Sequence, residues 1–373
     1  MPNETVTNVN LAIELEVNMF ALIMAGGSGS RLWPRSRKNQ PKQLLDLGSG
    51  RTMFQEAYDR VVPLFGNEGI FVVTSGEYVP MMRQQVPAIP AANYIIEPSG
   101  RGTAPCIGLA ALYLQRLDPQ GVMCVLTADH YIQKAELFRQ VLQAAAQVAE
   151  SGYLVTLGIA PSFPSTGFGY VQRGTSLGTV GGFEAFRVEK FTEKPDAETA
   201  QRFCESGMYS WNSGMFIWRV SVILREFEKL MPALYAQLME IDAAIGTSEE
   251  RIVLERVWPQ VEKQTIDYGI MERAEDVAVI PVDIGWSDVG SWATLLDILP
   301  ADGDGNVVTG QHLGVDTHGC LIYSPDRLVA TVGVEGMIVV DTGDVLLVCP
   351  RKRAQDVREL VKRLQEEGRE EYL

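Results

Sequence analysis

The chain has 373 residues, 46% of them hydrophobic and 21% charged, which predicts two or three domains at roughly 150 residues each and a sizeable core rather than disorder. Basic residues number 32 against 47 acidic ones, a net charge of −15. That excludes a coat for nucleic acid and requires any anionic ligand to be drawn by local positive charge. No apolar run reaches the roughly 18 residues of a membrane helix, so no membrane partner is expected.

Residues 1–18, MPNETVTNVNLAIELEVN, carry acids and no basic segment. They make a poor signal peptide and read as a disordered extension, with Met19 as an alternative start. From Phe20 onward strands alternate with helices. Phe20–Ala25 is a short apolar run ending in glycines, as a buried strand would. Thr52 with Gln55 three residues later forms a capping box and starts a helix. Ile70–Thr74 and Tyr94–Ile96 read as strands, Thr103–Leu117 as a helix, Val122–Thr127 as a strand, Ala135–Glu150 as a helix and Tyr153–Ile159 as another strand. Repeated βα units with continuous apolar strands imply an α/β fold with a mostly parallel mixed sheet covered on both faces. Ligands of such sheets bind beyond the carboxyl ends of the strands. After the turn cluster ADGDGN at 301–306, short β-rich pieces about ten residues apart suggest a small β domain, a β-helix fragment or a meander, and Ala354–Glu367 closes the chain as an amphipathic helix. The expected boundaries are therefore 1–18, 19–300 and 301–373. Five widely spaced cysteines (106, 124, 204, 320, 349) form no C-x-x-C pair, and two of them lie in apolar runs, which favours reduced thiols and a cytoplasmic location.

The strongest chemical signal is Ala25–Leu45. Ala25, Gly26, Gly27, Gly29 and Ser30 follow a strand, where glycines let backbone N–H groups approach phosphate oxygens. Arg31, Arg35, Arg37, Lys38 and Lys42 then form an electropositive island on an acidic chain. The plain alternative is a solvated basic loop. Neither common phosphate loop fits: the chain contains no Gly-Lys dipeptide, and Leu32 stands where a dinucleotide fingerprint wants Gly or Ala. Asp129, in LTADH, closes a buried strand. Asp288, in IGWSDVGSW, lies between a strand-like and a helix-like run. Each could cap a helix or bind Mg²⁺, which prefers one or two carboxylates plus substrate phosphates. TGFGY at 166–170, Glu193-Lys194-Pro195 and WNSGMF at 211–216 are polar islands suited to a sugar, or else a salt-bridged turn and a buried turn with a satisfied Asn. With three histidines, no G-x-S-x-G elbow and no zinc-type cluster, the chemistry must rest on positioning and charge neutralisation, as phosphoryl transfer does.

Taken in order, AGGSGSRLWPRSRKNQPKQ, EPSGRGTAP, LTADH, FTEKP, WNSGMF, DYGIMER and DIGWSDVGSW resemble the sugar-phosphate nucleotidyltransferases, and among them the mannose-1-phosphate guanylyltransferases, over about residues 19–300. The resemblance implies a Rossmann-like nucleotidyltransferase domain with a small C-terminal β-helix-like piece. It implies GMP transfer from GTP to mannose 1-phosphate, giving GDP-mannose and pyrophosphate, with Mg²⁺ as cofactor. It assigns Arg31 and Lys42 to the triphosphate and Asp129 and Asp288 to Mg²⁺. Lys194 would meet the sugar phosphate, with Gly169, Glu193 and Asn212 at the sugar and Glu97 to Arg101 along the nucleoside. Gly102 departs from the family pattern, which usually has Asn there, and this touches base preference. The C-terminal piece would serve packing or a homodimer, and no isomerase activity is expected from His312 and His318. Two alternatives remain open at this point: another nucleotide or glucose 1-phosphate as substrate, and a non-catalytic nucleotide-sugar sensor.

Overall fold

The computed structural model of the chain describes residues 18–27 and 29–373. The expected disordered extension lies outside them except for Asn18, where the expectation is corrected. Asn18 Nδ2 donates to Asp118 Oδ2 at 2.9 Å and its carbonyl accepts from Val122 N at 2.8 Å, extending the first strand's ladder by one residue.

The strands are β1 Met19–Met24, β2 Ile70–Ser75, β3 Tyr94–Glu97, β4 Val122–Thr127, β5 Tyr131–Ile132, β6 Leu154–Ile159, β7 Tyr170–Val180, β8 Phe183–Thr192, β9 Tyr209–Arg219, β10 Val277–Pro281, β11 Trp286–Ser287, β12 Val307–His318, β13 Leu321–Glu335, β14 Met337–Asp341 and β15 Leu346–Pro350. The helices are α1 Met53–Phe65, α2 Val79–Gln85, α3 Thr103–Leu117, α4 Ala135–Glu150, α5 Ala197–Ser206, α6 Val220–Leu230, α7 Pro232–Asp242, α8 Glu250–Val257, α9 Trp292–Ile298 and α10 Val357–Glu366. The capping box forms as expected: Thr52 Oγ1 accepts from Gln55 N while Gln55 Oε1 accepts from Thr52 N.

A nine-stranded mixed sheet runs in the order β3-β2-β1-β4-β9-β6-β10-β8-β7. Strands β1 to β4 are mutually parallel, as are β6 and β10, whereas β7, β8 and β9 pair antiparallel to their neighbours. The strands read from sequence are the parallel, uninterrupted apolar ones. WNSGMF is part of β9 rather than a turn, with Asn212 and Ser213 buried along with Trp211, Met215 and Phe216. Successive residues of β1 serve opposite layers: Ala21 and Ile23 join the core under α1, α2 and α4, and Leu22 joins the core under α3, α6 and α7.

In a separate four-stranded sheet β12, β13 and β14 are parallel and β15 antiparallel. Its inner face, with Ala354 and Val357 before and on α10, packs on Leu32, Trp33 and α9 in a third core. Trp292 anchors that core: its ring is buried and its Nε1 donates to the Trp33 carbonyl at 2.9 Å. Trp292→Ala is expected to cost roughly 3–5 kcal/mol and to loosen the C-terminal sheet, measured by urea unfolding together with proteolysis in the 299–306 connection.

Candidate active site

The site is assembled around Lys42. β1 delivers the glycine turn to the sheet's end, and the Ala25 carbonyl there accepts from Gln43 Nε2 (3.0 Å) and Thr74 Oγ1 (2.8 Å). Gly29, at φ 61°, leaves room for the Lys42 stem, which a Cβ on residue 29 would overlap. Lys42 is 7% exposed, and its ammonium donates to Asp129 Oδ2 at 2.7 Å and to the Asp288 carbonyl at 2.9 Å. One cation therefore ties together two segments far apart in the chain. The short β5–β11 ribbon does the same, pairing Tyr131 with Ser287 and Ile132 with Trp286. Asp129 lies two residues before the ribbon and Asp288 one residue after it.

Neither acid caps a helix. The N-cap of α4 is Lys134 and that of α9 is Ser291. Both carboxylates instead line a cavity of about 360 Å³ together with Gly29, Ser30, Arg31 and Lys42. Burial raises the Asp288 carboxyl, and the Asp129 charge adds to it against Lys42. Burial also opposes ionisation of Asp129, but Lys42 outweighs it and holds that carboxyl below its usual range. Val289, buried beside Asp288, has φ 47°, a strained conformation for a β-branched residue and one often found at functional sites. His130 closes the wall. Burial pushes its imidazole down to about 4, so it is neutral at pH 7, and its Nδ1 accepts from Trp286 Nε1 at 3.2 Å.

The electropositive island is smaller than its sequence suggests. Arg35 donates to the Asp46 carbonyl and stacks on Tyr323 at 4.2 Å. Arg37 pairs with Asp344 at 2.8 Å, and Lys38 pairs with Glu370. These three cations dock the C-terminal sheet and tail, and only Arg31 and Lys42 of the five face the cavity. Gly26 and Gly27 are exposed at the end of β1 and do not line it.

A second polar cluster lies at the ends of β8 and β9. Asn212 N donates to the Gly169 carbonyl at 2.8 Å, and Asn212 Oδ1 accepts from Thr156 Oγ1 at 3.0 Å. Its Nδ2 donates to Asp267 Oδ1 at 2.8 Å. Lys194, at φ 46°, places its ammonium on Glu193. Burial would lower the Lys194 ammonium, but Glu193 and Asp267 outweigh it and raise it above the ordinary value. Gly169, Glu193, Lys194 and Asn212 thus come together as expected. Asp267, which the sequence reading placed in DYGIMER without a role, joins them. Burial, reinforced by Glu193, pushes its carboxyl up to about 6.

Glu97 and Arg101 are engaged with each other, and Arg101 also with the segment at Pro259. Glu97 Oε1 accepts from Arg101 N at 2.9 Å, and Arg101 Nη2 donates to the Pro259 carbonyl at 2.9 Å. Neither lines the cavity around Lys42. Gly102 has a local cause: at φ 88° it abuts the Gln264 backbone, where a Cβ would strike the carbonyl. The residue that sequence reasoning missed altogether is Arg358 of α10, which lines the cavity from the far end of the chain. No local pattern distinguishes it from the other exposed cations of that helix.

An α/β sheet carrying a glycine turn, a buried lysine and two carboxylates at its strand ends is the architecture of a nucleotide-transferring enzyme. Residues 20–305 match the nucleotidyl transferase family and residues 310–364 match the MannoseP isomerase/GMP-like beta-helix domain. The chain belongs to the nucleotidyl transferase family. It is 40% identical over 357 residues to the mannose-1-phosphate guanylyltransferase of Escherichia coli, covering 95% of this chain and 75% of that one. It is 39% identical over 357 residues to the xanthan biosynthesis protein XanB of Xanthomonas campestris pv. campestris, with the same coverage. A crystal structure from Thermus thermophilus, described as mannose-1-phosphate geranyltransferase, superposes with a TM-score of 0.85 at 35% identity, over 93% of this chain and 99% of that one.

The Asp267 carboxyl gives a pH signature. The native state keeps this proton up to about pH 6, whereas an unfolded chain releases it near 3.8. The group's contribution to stability is therefore present below about pH 4 and lost as pH rises through 6. Asp267→Asn removes the dependence and keeps an acceptor for Asn212. The melting temperature of the variant relative to wild type should rise by on the order of a few °C between pH 4 and 7; a difference that does not change with pH contradicts the assignment.

Proposed function

We propose that the chain transfers GMP from GTP to α-D-mannose 1-phosphate, giving GDP-mannose and pyrophosphate. The observation that carries this is the convergence of Arg31, Lys42, Asp129 and Asp288 on one cavity, with the Gly169–Glu193–Lys194–Asn212 cluster as a separate acceptor site. A phosphate oxygen of the sugar phosphate attacks the α-phosphorus in line. The bond from that phosphorus to the bridging oxygen breaks, and pyrophosphate leaves with the electron pair. The nucleophile is already ionised at neutral pH, so no general base is needed, consistent with a neutral His130. The barrier lies in bringing two polyanions together and in the charge developing on the leaving group.

Each residue has a place in that scheme. Arg31 makes no ion pair with any described residue and meets the triphosphate beside the backbone of Gly29 and Ser30, which line the same cavity; Ala25, Gly26 and Gly27 lie outside that cavity, at the end of β1. Lys42 holds the acids in register and keeps a third N–H for a phosphate oxygen. Lys194 meets the acceptor phosphate, Glu193, Asn212 and Gly169 the sugar, and Glu97 with Arg101 the nucleoside side. Asp129 and Asp288 fit Mg²⁺: they are two carboxylates on one cavity, one raised by burial and the other's charge, and Mg²⁺ takes one or two carboxylates plus phosphate oxygens. Among the described residues no group of three or more His, Cys, Asp or Glu is placed to hold a metal ion, so the ion would rest on these two carboxylates and the substrate's phosphate oxygens. When bound, Mg²⁺ supplies neutralisation of phosphate charge.

We read residues 19–300 as the catalytic unit and 301–373 as a unit docked on it. Leu313, Val315, Leu328 and Val332, exposed on β12 and β13, support a homodimer. The five free cysteines support a cytoplasmic setting. No helix among the described residues is long and apolar enough to cross a membrane.

Pyrophosphate release measured for GTP, ATP, UTP and dTTP against mannose and glucose 1-phosphates should be fastest for GTP with mannose 1-phosphate. Faster turnover on another pair overturns the specificity, and nucleotide-sugar binding without turnover points to a sensor. Asp288→Asn is expected to lower kcat by about 10²-fold or more, the scale of losing one preorganised electrostatic contact, and to abolish the Mg²⁺ dependence while leaving the unfolding transition in place. Asp129→Asn should do the same to kcat. Lys194→Ala should mainly raise KM for the sugar phosphate, because it removes ground-state and transition-state binding together; an unchanged KM would misplace the acceptor pocket.

A further inference from the structure

The cavity is short of positive charge unless α10 contributes. Among its lining side chains Arg31 and Lys42 are balanced by Asp129 and Asp288, and the fifth charged group is Arg358. The remaining loop cations are spent elsewhere, Arg37 on Asp344 and Lys38 on Glu370. Arg358, by contrast, has among the described residues only its chain neighbour Glu359 as an ion-pair partner, at 3.4 Å, with both side chains more than half exposed. Such a pair is worth little and yields readily to a phosphate.

Arg358 does not reach the cavity by chance. Val357, next to it, is buried in the core shared with Leu32 and Trp33, and Val361 and Leu364 pack against that core one and two turns on. The tail beyond the helix is fastened to the segment that follows the glycine turn, Trp33 Nε1 donating to the Tyr372 carbonyl at 2.7 Å. The helix is thus held against Ser30–Leu32, and residue 358 is carried to the mouth of the cavity on the side of Ser30 and Arg31.

Resting on the reading of this cavity as the triphosphate site, we propose that Arg358 binds the pyrophosphate end of the nucleotide, so that the C-terminal unit completes the catalytic site as well as packing on it. Its guanidinium grips the β- and γ-phosphate oxygens and stabilises the negative charge that accumulates there as the α-phosphorus bond breaks. The C-terminal domain then has a chemical reason to stay docked, and undocking it would empty the site of a third of its cations.

The test uses the full-length protein with Arg358→Ala and Arg358→Lys, and Arg363→Ala as a control that removes a charge from the same helix away from the cavity. Arg358→Ala should lower kcat/KM for GTP by about 10- to 100-fold and raise KM for pyrophosphate in the reverse reaction by a similar factor. KM for mannose 1-phosphate should stay within about twofold, with partial recovery in Arg358→Lys and no change in Arg363→Ala. GTP and pyrophosphate constants within twofold of wild type in Arg358→Ala overturn the proposal, and so does an equal loss in Arg363→Ala. If Arg358→Ala fails to fold by thermal melting, Arg358→Lys carries the same comparison. Calorimetric titration with pyrophosphate alone separates this proposal from the reaction assignment. About tenfold weaker binding in Arg358→Ala supports the contact even if wild type prefers another substrate pair, and equal binding refutes it even if the transfer reaction is as assigned.

Discussion

One ammonium organises the catalytic end of this molecule. Lys42 is nearly buried, and it is held there by a carboxylate oxygen of Asp129 and the backbone carbonyl of Asp288. An unpaired cation in that position would carry a desolvation penalty of several kcal/mol; paired, it fixes the distance between two loops that also meet through a two-residue ribbon and the Trp286–His130 hydrogen bond. The close approach requires a residue without a side chain at Gly29, and Val289, next to Asp288, holds a positive φ that is strained for a β-branched residue.

Around that lysine the site divides into two electrostatic environments. In the cavity proposed for the triphosphate two acids meet the nearly buried Lys42 together with Arg31 and Arg358, and the burial and the repulsion from Asp129 that raise Asp288 are what a divalent ion would relieve. In the cluster proposed for the acceptor, Lys194 bonds Glu193 and Asn212 bonds Asp267. Its lysine is kept charged by carboxylates, and one of its acids is pushed toward the neutral form. Neither environment contains an activated nucleophile, which agrees with a reaction whose reacting oxygen comes from the substrate.

The C-terminal sheet changes the meaning of the basic loop. Arg35, Arg37 and Lys38 bind this sheet and the tail behind it, and the third hydrophobic core spans both parts through Trp33 and Trp292. Charges that look like a phosphate platform in the linear chain are largely a domain joint. The same joint carries α10 to the cavity, so the fold compensates for the diverted cations with one from the far terminus.

The parallel strands, the main helices and the capping box were legible from sequence because apolar runs, 3.6-residue periodicity and Thr52 with Gln55 are local signals. The glycine turn, Lys42 and the two acids were legible as candidates because strand ends in such sheets are where ligands bind. What remained was decided by tertiary structure. Whether Asp129 and Asp288 cap helices or face a shared cavity depends on the β5–β11 pairing, a two-residue ribbon with no sequence signature. Which of five cations face the cavity depends on partners at the far end of the chain, and Gly102 is explained only by the Gln264 carbonyl packed against it. Local chemistry along the chain sets which groups are available; long-range packing alone sets which of them share a cavity, because charge pairing and burial act through space.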